Sequence, residues 1–148
     1  MGQLNAERAF YAAFALLGYA YVSYPGGPKL NLPTAPIPAS TIWYELDTLY
    51  SNPNPVGLGS PIIRYPGLFQ VRVNAPNADA NGNPYGTYAV NASAEAVATA
   101  FKLGTSLSYP TVNPVAFVHC DEPGIVHLGN MKPEWYTVVV RIPFRLDN

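Results

Sequence analysis

The sequence has 148 residues, of which 49% are apolar and 13% aromatic, so it is long enough for one domain with its own core and too apolar for a disordered chain. Eight basic and nine acidic residues are spread along the chain and give a formal net charge of −1. This balance offers no basic patch for nucleic-acid phosphates and argues against sequence-specific nucleic-acid binding. The single cysteine, Cys120, excludes an intramolecular disulfide.

Charged residues make up only 11% of the chain, against roughly 25% in typical soluble domains. Proline is frequent, with sixteen residues. Because charged residues are depleted at interface cores, this composition favours a subunit whose surface is covered by its neighbours in an assembly. A monomer with a neutral surface rich in Asn, Ser, Thr and Tyr is the alternative.

Residues 5–22 contain the first predicted helix, with Asn5 as its N-cap and Glu7 in its first turn. The apolar run at residues 9–17 is too short to span a membrane. A signal peptide is disfavoured because Glu7 offsets Arg8 and no small-residue cleavage site follows. A helix that is apolar all round needs cover on several sides, and we expect the sheet to cover one side and another subunit the other. The strongest stripe of this helix consists of Phe10, Phe14 and Leu17.

Two segments rich in proline and glycine flank the first predicted strand. Residues 24–40 hold five prolines and predict an extended strap, packed either over its own domain or against a neighbour. Residues 51–61 form the second loop, in which Gly57-Leu58-Gly59 lacks the third glycine and the helix of a nucleotide-binding loop.

The first strand is predicted at residues 41–50, where apolar and polar side chains alternate. Glu45 and Asp47 project from one face of this strand, a spacing that can support paired-carboxylate catalysis. The sequence places no partner acid or base near them. We therefore interpret both as solvent-facing residues of a half-buried strand.

The central stretch of the chain combines a strand, a loop and a helix. Residues 69–74 alternate apolar and polar side chains and predict a strand that ends at Pro76. Residues 77–86 predict a glycine-containing loop. Gly104 then lies where a helix commonly ends with a positive φ. The stripe of the intervening helix consists of Val90, Ala94, Val97, Ala98 and Phe101.

Residues 112–120 predict a short central strand, because apolar residues occupy both of its faces. The strand ends in the cluster His119-Cys120-Asp121-Glu122, with His127 nearby. Adjacent residues of a strand point to opposite faces, which separates His119 from Cys120 as a catalytic dyad. A lone cysteine also lacks the repeated spacing of a zinc site. We interpret the cluster as a strand end that runs into a turn.

The last part of the chain predicts two further elements. Residues 125–131 predict a short strand extension or a hairpin arm, and residues 135–146 give the longest strand pattern. Pro143 predicts an edge position or a bulge late in that strand, because proline cannot donate to a ladder. The apolar face of this strand consists of Tyr136, Val138, Val140, Ile142, Phe144 and Leu146.

These elements predict one α+β domain over residues 1–148. We expect a mostly antiparallel four-stranded sheet with two helices packed on one face, joined by long Pro/Gly-rich connectors. The strap at residues 24–40 and the loop at residues 77–86 are predicted to act as intersubunit arms, because both are long and short of internal partners.

The segment Arg64-Tyr65-Pro66-Gly67-Leu68-Phe69-Gln70-Val71-Arg72-Val73, followed by Pro76, a glycine loop and a helix ending at Phe101, resembles the tail terminator-like family of tailed bacteriophages. The N-terminal helix leading to an aromatic strand around Trp43 and Tyr44 is similar to the same layout, as is the closing strand at residues 135–144. The strap and the loop at residues 52–61 are departures from that layout.

This resemblance implies a virion structural protein that forms a ring, typically a homo-hexamer, at the head-proximal end of a phage tail after assembly in the host cytoplasm. One face of the ring would cap the tail-tube protein, and the other would receive the head–tail connector or stopper protein. The implied action is binding, so we expect no enzyme activity, no membrane partner and no catalytic, cofactor-binding or metal-binding residues. A closed ring also limits heterologous contacts that could otherwise grow without end.

Three alternatives remain from the sequence. The chain could be another head–tail connector, tail-tube or baseplate subunit of the same virion. It could be a monomeric ligand-binding module with a sugar platform of four aromatic residues, Trp43, Tyr44, Trp135 and Tyr136. An enzyme alternative would be a hydrolase using Cys120, His119 or Glu45.

Overall fold

The computed structural model describes residues 2–19, 21–24, 41–59, 63–77, 81, 86–108, 117–120, 123–127, 130–131 and 135–147. Two helices are found in this part of the chain, α1 at Gly2–Ala15 and α2 at Gly86–Ala100. Its strands are β1 Val22–Ser23, β2 Trp43–Tyr50, β3 Asn54–Pro55, β4 Ile63–Pro76, β5 Ser106–Ser108, β6 Phe117–Cys120, β7 Ile125–Val126, β8 Asn130–Met131 and β9 Trp135–Asp147.

All nine strands of the described residues belong to one sheet, with the order β1-β2-β4-β9-β6-β5. Strand β3 pairs with β4, and β7 and β8 pair with β9. The sheet is mixed because β1 runs parallel to β2, whereas the other pairs are antiparallel. The expected four-stranded sheet is therefore wrong. The four expected strands lie next to each other as β2, β4, β9 and β6, and β7 and β8 fall within residues 125–131, the segment predicted as a short strand extension or a hairpin arm. The further strands β1, β3 and β5 have two or three residues and are too short to give a recognisable period of two.

The centre of the sheet is the long antiparallel pair of β4 and β9. Their register runs without a break from Arg64 opposite Asp147 to Pro76 opposite Trp135. Because opposite residues in an antiparallel pair share a face, this register fixes which side chains of both strands meet the helices and which do not.

Pro143 lies inside the β4–β9 ladder, opposite Leu68, so on the β4 side the prediction of an edge position is wrong. The amide of His127 donates to the carbonyl of Val139 at 2.9 Å, which shows that the odd-numbered residues of β9 direct their backbone groups away from β4. On that side, β6 pairs with β9 as far as Phe144, and β7 pairs again from Arg141. Pro143 falls between these two described strands, where the pairing shifts by two residues, from Cys120 opposite Phe144 to Ile125 opposite Arg141. The interruption expected of a bulge is therefore found on this side, and no strand pairing of the described residues needs the missing N–H.

Both helices pack on the same face of the sheet and share one hydrophobic core with it. Helix α1 begins at Gly2, so the expectation of Asn5 as N-cap is wrong. Its buried residues are Ala6, Ala9, Phe10 and Phe14. The opposite side of its C-terminal half leaves Ala12, Ala15 and Leu16 exposed. The chain's own fold thus covers one side of this helix, and cover by another subunit remains a prediction.

Phe10 connects α1 to three other elements. Its ring centre lies 4.3 Å from that of Phe69 in β4, 5.0 Å from that of Phe144 in β9, and 5.6 Å from that of Phe101 after α2. Aromatic pairs at these separations add to the free energy gained by burying their area. The N-terminal helix is therefore held at the middle of the core.

The predicted stripe of α2 is confirmed. Val90, Ala94 and Val97 are fully buried, and Phe101 is nearly so. The helix starts at Gly86 and ends at Ala100. Gly104 has the expected positive φ, 85°, but it lies in the turn before β5, four residues after the helix, so its prediction as the helix-ending residue is wrong. No helix in the described part of the chain is long and apolar enough to span a membrane.

The two predicted arms fall largely outside the described residues. Of the strap at residues 24–40, residues 25–40 lie outside them, and of the loop at residues 77–86 so do residues 78–80 and 82–85. Their role as intersubunit arms stays a prediction.

A substitution at Gly67 of β4 tests how tightly the central pair of β4 and β9 is packed. A Cβ at this position would lie 2.6 Å from the carbonyl oxygen of Leu49 and 2.7 Å from Cζ of Phe144. We expect Gly67→Ala to lower the free energy of unfolding by about 1–3 kcal/mol through overpacking, measured by chemical denaturation. The control is Gly57→Ala, which meets open space and carries only the strain of its positive φ, roughly 1 kcal/mol. Equal losses in the two variants would contradict the packing argument.

Candidate functional site

The face of the sheet opposite the helices carries most of the polar side chains of its long strands. Three rows cross β2, β4 and β9 on this face, as the strand registers show. The first row is Trp43, Asn74 and Thr137, the second is Glu45, Arg72 and Val139, and the third is Asp47, Gln70 and Arg141. We call this surface the polar face.

Asn74 is the best-buried polar residue of the polar face, with 2% of its surface exposed. Its Nδ2 donates to Oε1 of Glu45 at 3.1 Å and, at 3.4 Å, to the carbonyl of Trp43. Its Oδ1 accepts from the hydroxyl of Thr137 at 2.6 Å. Asn74 therefore links all three long strands through its side chain, and buried polar groups of this kind are costly to leave unsatisfied.

The remaining charges of the polar face are partly matched within the chain. Nη1 of Arg72 lies 3.9 Å from Oε2 of Glu45, with both side chains about half exposed. Nε of Arg141 donates to Oε1 of the buried Gln70 at 3.2 Å. Such exposed or half-exposed pairs contribute little to stability, so their main effect is to fix the orientation of the side chains.

An open depression of about 280 Å³ lies on the polar face beside β1. It is lined by Ser23, Glu45, Leu46, Asp47, Gln70 and Arg72. The structure places Glu45 and Asp47 on one face, as their spacing predicts, but each has its own partner. Glu45 meets Asn74 and Arg72, and Asp47 accepts a hydrogen bond from the amide of Thr48 at 2.8 Å. Paired in this way, the two carboxylates suit polar contacts at a surface.

The predicted separation of His119 and Cys120 is confirmed. Cys120 is 2% exposed and belongs to the hydrophobic core, whereas His119 lies on the opposite face of β6 and its Nδ1 is 2.9 Å from the hydroxyl of Ser106. Among the residues that the structure describes, no group of three or more His, Cys, Asp or Glu residues could hold a metal ion. Asp121 and Glu122 lie outside the described residues.

The four aromatic residues considered as a sugar platform do not form one surface. Trp43 and Tyr44 are both buried and point to opposite faces of β2. Trp43 meets Trp135 with ring centres 6.2 Å apart, while Tyr44 packs against Phe14 in the core. The platform prediction is therefore wrong for these residues.

Large apolar side chains are exposed at several places on this surface. Leu16, the first residue after α1, is 88% exposed, and Tyr88 in the first turn of α2 is 82% exposed. A contiguous apolar surface is commonly an interaction site, while isolated exposed residues are ordinary. The described residues of this kind are Leu16, Leu17, Tyr21, Leu49, Tyr50, Leu58, Ile63, Tyr88, Leu103, Ile125 and Val126.

A small polar cluster joins α1 to the outer strand β2. The hydroxyl of Tyr50 donates to Oε2 of Glu7 at 3.1 Å. Burial raises the pKa of Tyr11 to about 12, the nearby Glu7 carboxylate adding to the rise. Burial also raises the pKa of Tyr50, again with help from Glu7. Glu7, predicted as a first-turn acid of the helix, is thus a contact between two elements.

Sequence reasoning missed the Asn74 network and the exposed leucines. Asn74 and Thr137 are 63 residues apart, so their contact depends on the pairing of β4 with β9. Leu16 continues the apolar run of α1 in the sequence, and nothing in that run distinguishes it from the buried Phe14 except helical spacing.

No protein-family model matches this chain, and no curated protein matches it. A solved structure whose name states no function is similar, with a TM-score of 0.64 and 16% sequence identity. The alignment covers 99% of this chain and 96% of that chain. At this identity the similarity shows the fold alone, and it extends over nearly the full length of both chains.

Replacing Asn74 tests the buried network. We expect Asn74→Ala to lower the free energy of unfolding by about 1–3 kcal/mol, because it leaves the Thr137 hydroxyl and the Glu45 carboxylate without this partner. Urea denaturation measures the change. The control is Thr99→Ala, which removes an exposed hydrogen bond to the carbonyl of Glu95 and should cost much less. A loss no larger than that of the control would show that the network contributes little.

The raised tyrosine pKa values predict alkaline destabilisation. A tyrosine whose folded-state pKa exceeds its unfolded value of about 10 contributes stability that is fully present below that pH and is lost as the pH rises through the folded value. For Tyr11 this loss begins near its unfolded pKa and continues to about 12. We expect Tyr11→Phe to lose less stability than the wild type between neutral pH and about pH 11, measured by urea denaturation. Tyr88→Phe, at an exposed position, should follow the wild-type profile.

Proposed function

We propose that this chain is a ring-forming structural subunit of a bacteriophage tail, a tail terminator that caps the tail tube and joins it to the head connector. The observation that carries the proposal is the segment from Arg64 to Pro76, which resembles the tail terminator-like family and forms nearly all of the central strand β4. The proposed protein acts by binding in the virion, as a homo-hexamer assembled in the host cytoplasm.

The exposed apolar side chains support a role in assembly. Leu16 is exposed directly after α1, and Leu49 and Tyr50 are exposed at the end of β2. The chain has few charges to keep such a surface apart from its neighbours, since only 11% of its residues are charged. Burial of these side chains between copies would provide the apolar core of an interface.

The partners of the proposed ring follow from its position in the tail. One face would bind the last ring of tail-tube protein, and the other would bind the head–tail connector or stopper protein. The polar face, with Glu45, Asp47, Arg72 and Arg141 of mixed charge, suits contacts that depend on complementary polar groups. A tail-tube, connector or baseplate position in the same virion is the second form of the proposal.

The size and shape of the purified protein test this function. We expect light scattering to give a mass several times the 16.0 kDa of one chain, and negative-stain electron microscopy to show isolated rings. Added tail-tube protein should carry these rings at the ends of short tubes. Long filaments of the chain alone would favour a tail-tube position. A protein that stays monomeric and does not bind the ends of tail tubes would contradict the proposal.

Leu16 provides a point substitution for the same test. We expect Leu16→Ser to weaken self-association about tenfold, because it removes an exposed apolar side chain from the proposed interface. Analytical ultracentrifugation measures the change, and circular dichroism checks that the fold is retained. The control is Ala96→Ser on the exposed side of α2, which should associate like the wild type.

A further inference from the structure

The two lateral borders of the sheet differ in what they offer another chain. On one side, β1 pairs with β2 only at Tyr44 and Glu45, and no strand among the described residues pairs with the outer side of residues 46–50. On the other side, β5 pairs with β6, and no described strand lies beyond it. We call residues 46–50 the β2 border and Ser106–Ser108 the β5 border. Within the described part of the chain, each border ends the sheet in a backbone edge, and such edges can accept a further strand.

The backbone of the β2 border points outward at alternate residues. The amide of Tyr44 donates to the carbonyl of Tyr21 at 2.9 Å, so the even-numbered residues of β2 direct their backbone groups away from β4. Of the outward amides, that of Thr48 is held by the carboxylate of Asp47. An incoming strand would replace this side-chain acceptor by a backbone carbonyl, as in other cases of strand addition.

The two borders lie at the same level of the sheet. Tyr50 at the end of β2 pairs with Gly67, and Gly67 pairs with Phe144. Phe144 in turn pairs with Cys120, whose amide donates to the carbonyl of Thr105 directly before β5. One row of paired residues therefore crosses the sheet from the β2 border to the β5 border. A rotation about an axis outside the subunit can bring the two borders of successive copies together with little shift along the strands.

The charges beside the two borders are opposite. Glu7 lies beside the β2 border, where it accepts from the hydroxyl of Tyr50. Beside the β5 border, the exposed Lys102 is the one charged residue of positions 101–108. A hydrogen bond from the amide of Thr105 to the carbonyl of Lys102, at 3.0 Å, holds this residue in the turn that leads into β5. Exposed leucines accompany both borders, Leu49 on one and Leu103 on the other.

We propose that copies of this chain join head to tail by strand addition, with the β5 border of one copy pairing with the β2 border of the next and Lys102 facing Glu7. The contact uses two different surfaces of each subunit, so it is heterologous and closes into a ring when the rotation between copies closes. This contact would be the interface between neighbouring subunits of the proposed ring, so it rests on the proposed function.

Cysteine cross-linking tests the pairing directly. Ser51 follows the β2 border, Ser106 lies within the β5 border, and both are exposed. The two residues lie on one row across the sheet. The amide of Ser51 donates to the carbonyl of Pro66, and Pro66 is paired with Arg145. Arg145 is in turn paired with His119, and His119 with Ser106. We expect the double variant Ser51→Cys/Ser106→Cys, treated with a short bis-maleimide reagent, to give a ladder of covalent oligomers up to the full ring. Each single variant should give no ladder, and the native Cys120 is buried.

The matched control is Ser51→Cys/Asn91→Cys, which moves one thiol to the exposed side of α2 and should give no ladder. Rings seen by electron microscopy without a ladder in the Ser51→Cys/Ser106→Cys variant would overturn the strand pairing while leaving the proposed function standing. Dimers from Ser51→Cys alone would show a like-to-like β2 contact and overturn it too. A protein that stays monomeric at every concentration would overturn both the pairing and the proposed ring.

Charge reversal gives an independent measurement of the same interface. We expect Lys102→Glu to raise the dissociation constant of self-association about tenfold, and the double variant Lys102→Glu/Glu7→Lys to recover most of that loss. The control Glu95→Lys changes the charge on the exposed side of α2 and should leave the constant unchanged. Equal behaviour of Lys102→Glu and the wild type would contradict the assigned contact.

Discussion

The pairing of β4 with β9 is the constraint on which the rest of the structure depends. The two strands come from distant parts of the chain, since Gln70 and the Arg141 it contacts are 71 residues apart. The entropy cost of closing such a loop grows only slowly with length, so one long ladder can be stabilised by the apolar area that it collects. On one face the ladder presents Phe69 and Phe144 to Phe10 of α1. On the other it aligns Asn74 with Thr137. Core and polar face are thus set by the same register.

This register divides the surfaces of the subunit by their physical character. The helix-facing side is filled with apolar and aromatic residues and is closed by α1 and α2. The opposite side has polar groups that largely satisfy each other, as Asn74 does with Glu45. What the described part of the chain leaves available is therefore concentrated at the lateral borders of the sheet and at exposed apolar side chains such as Leu16.

A chain with so few charges has little long-range electrostatic steering, so the proposed assembly would depend mainly on apolar area, shape and backbone hydrogen bonds, with single ion pairs such as Lys102 with Glu7 adding to them locally. Strand addition supplies the last of these at low cost in side-chain ordering. In a head-to-tail arrangement, the β5 border of each copy would pair with the β2 border of the next. The two different borders of one sheet would then be enough to close a ring of identical subunits. The proposed role in a phage tail is consistent with such a design, because a terminator acts through the surfaces it presents.

The sequence by itself determined the long elements, because alternation and helical spacing are local properties. It predicted β2, the C-terminal half of β4, β9 and the buried stripe of α2, and it separated His119 from Cys120 by the geometry of adjacent residues on a strand. It did not predict the short strands β1, β3 and β5, the start of α1 at Gly2, or the pairing of Pro143 with β4, since each depends on what lies alongside in space. Only the tertiary structure decided that Leu16 is exposed where Phe14 is buried, and that Tyr50 and Thr105 lie on one row across the sheet. Local periodicity shows which residues share a face of an element, whereas the packing of distant elements decides whether that face or edge is covered.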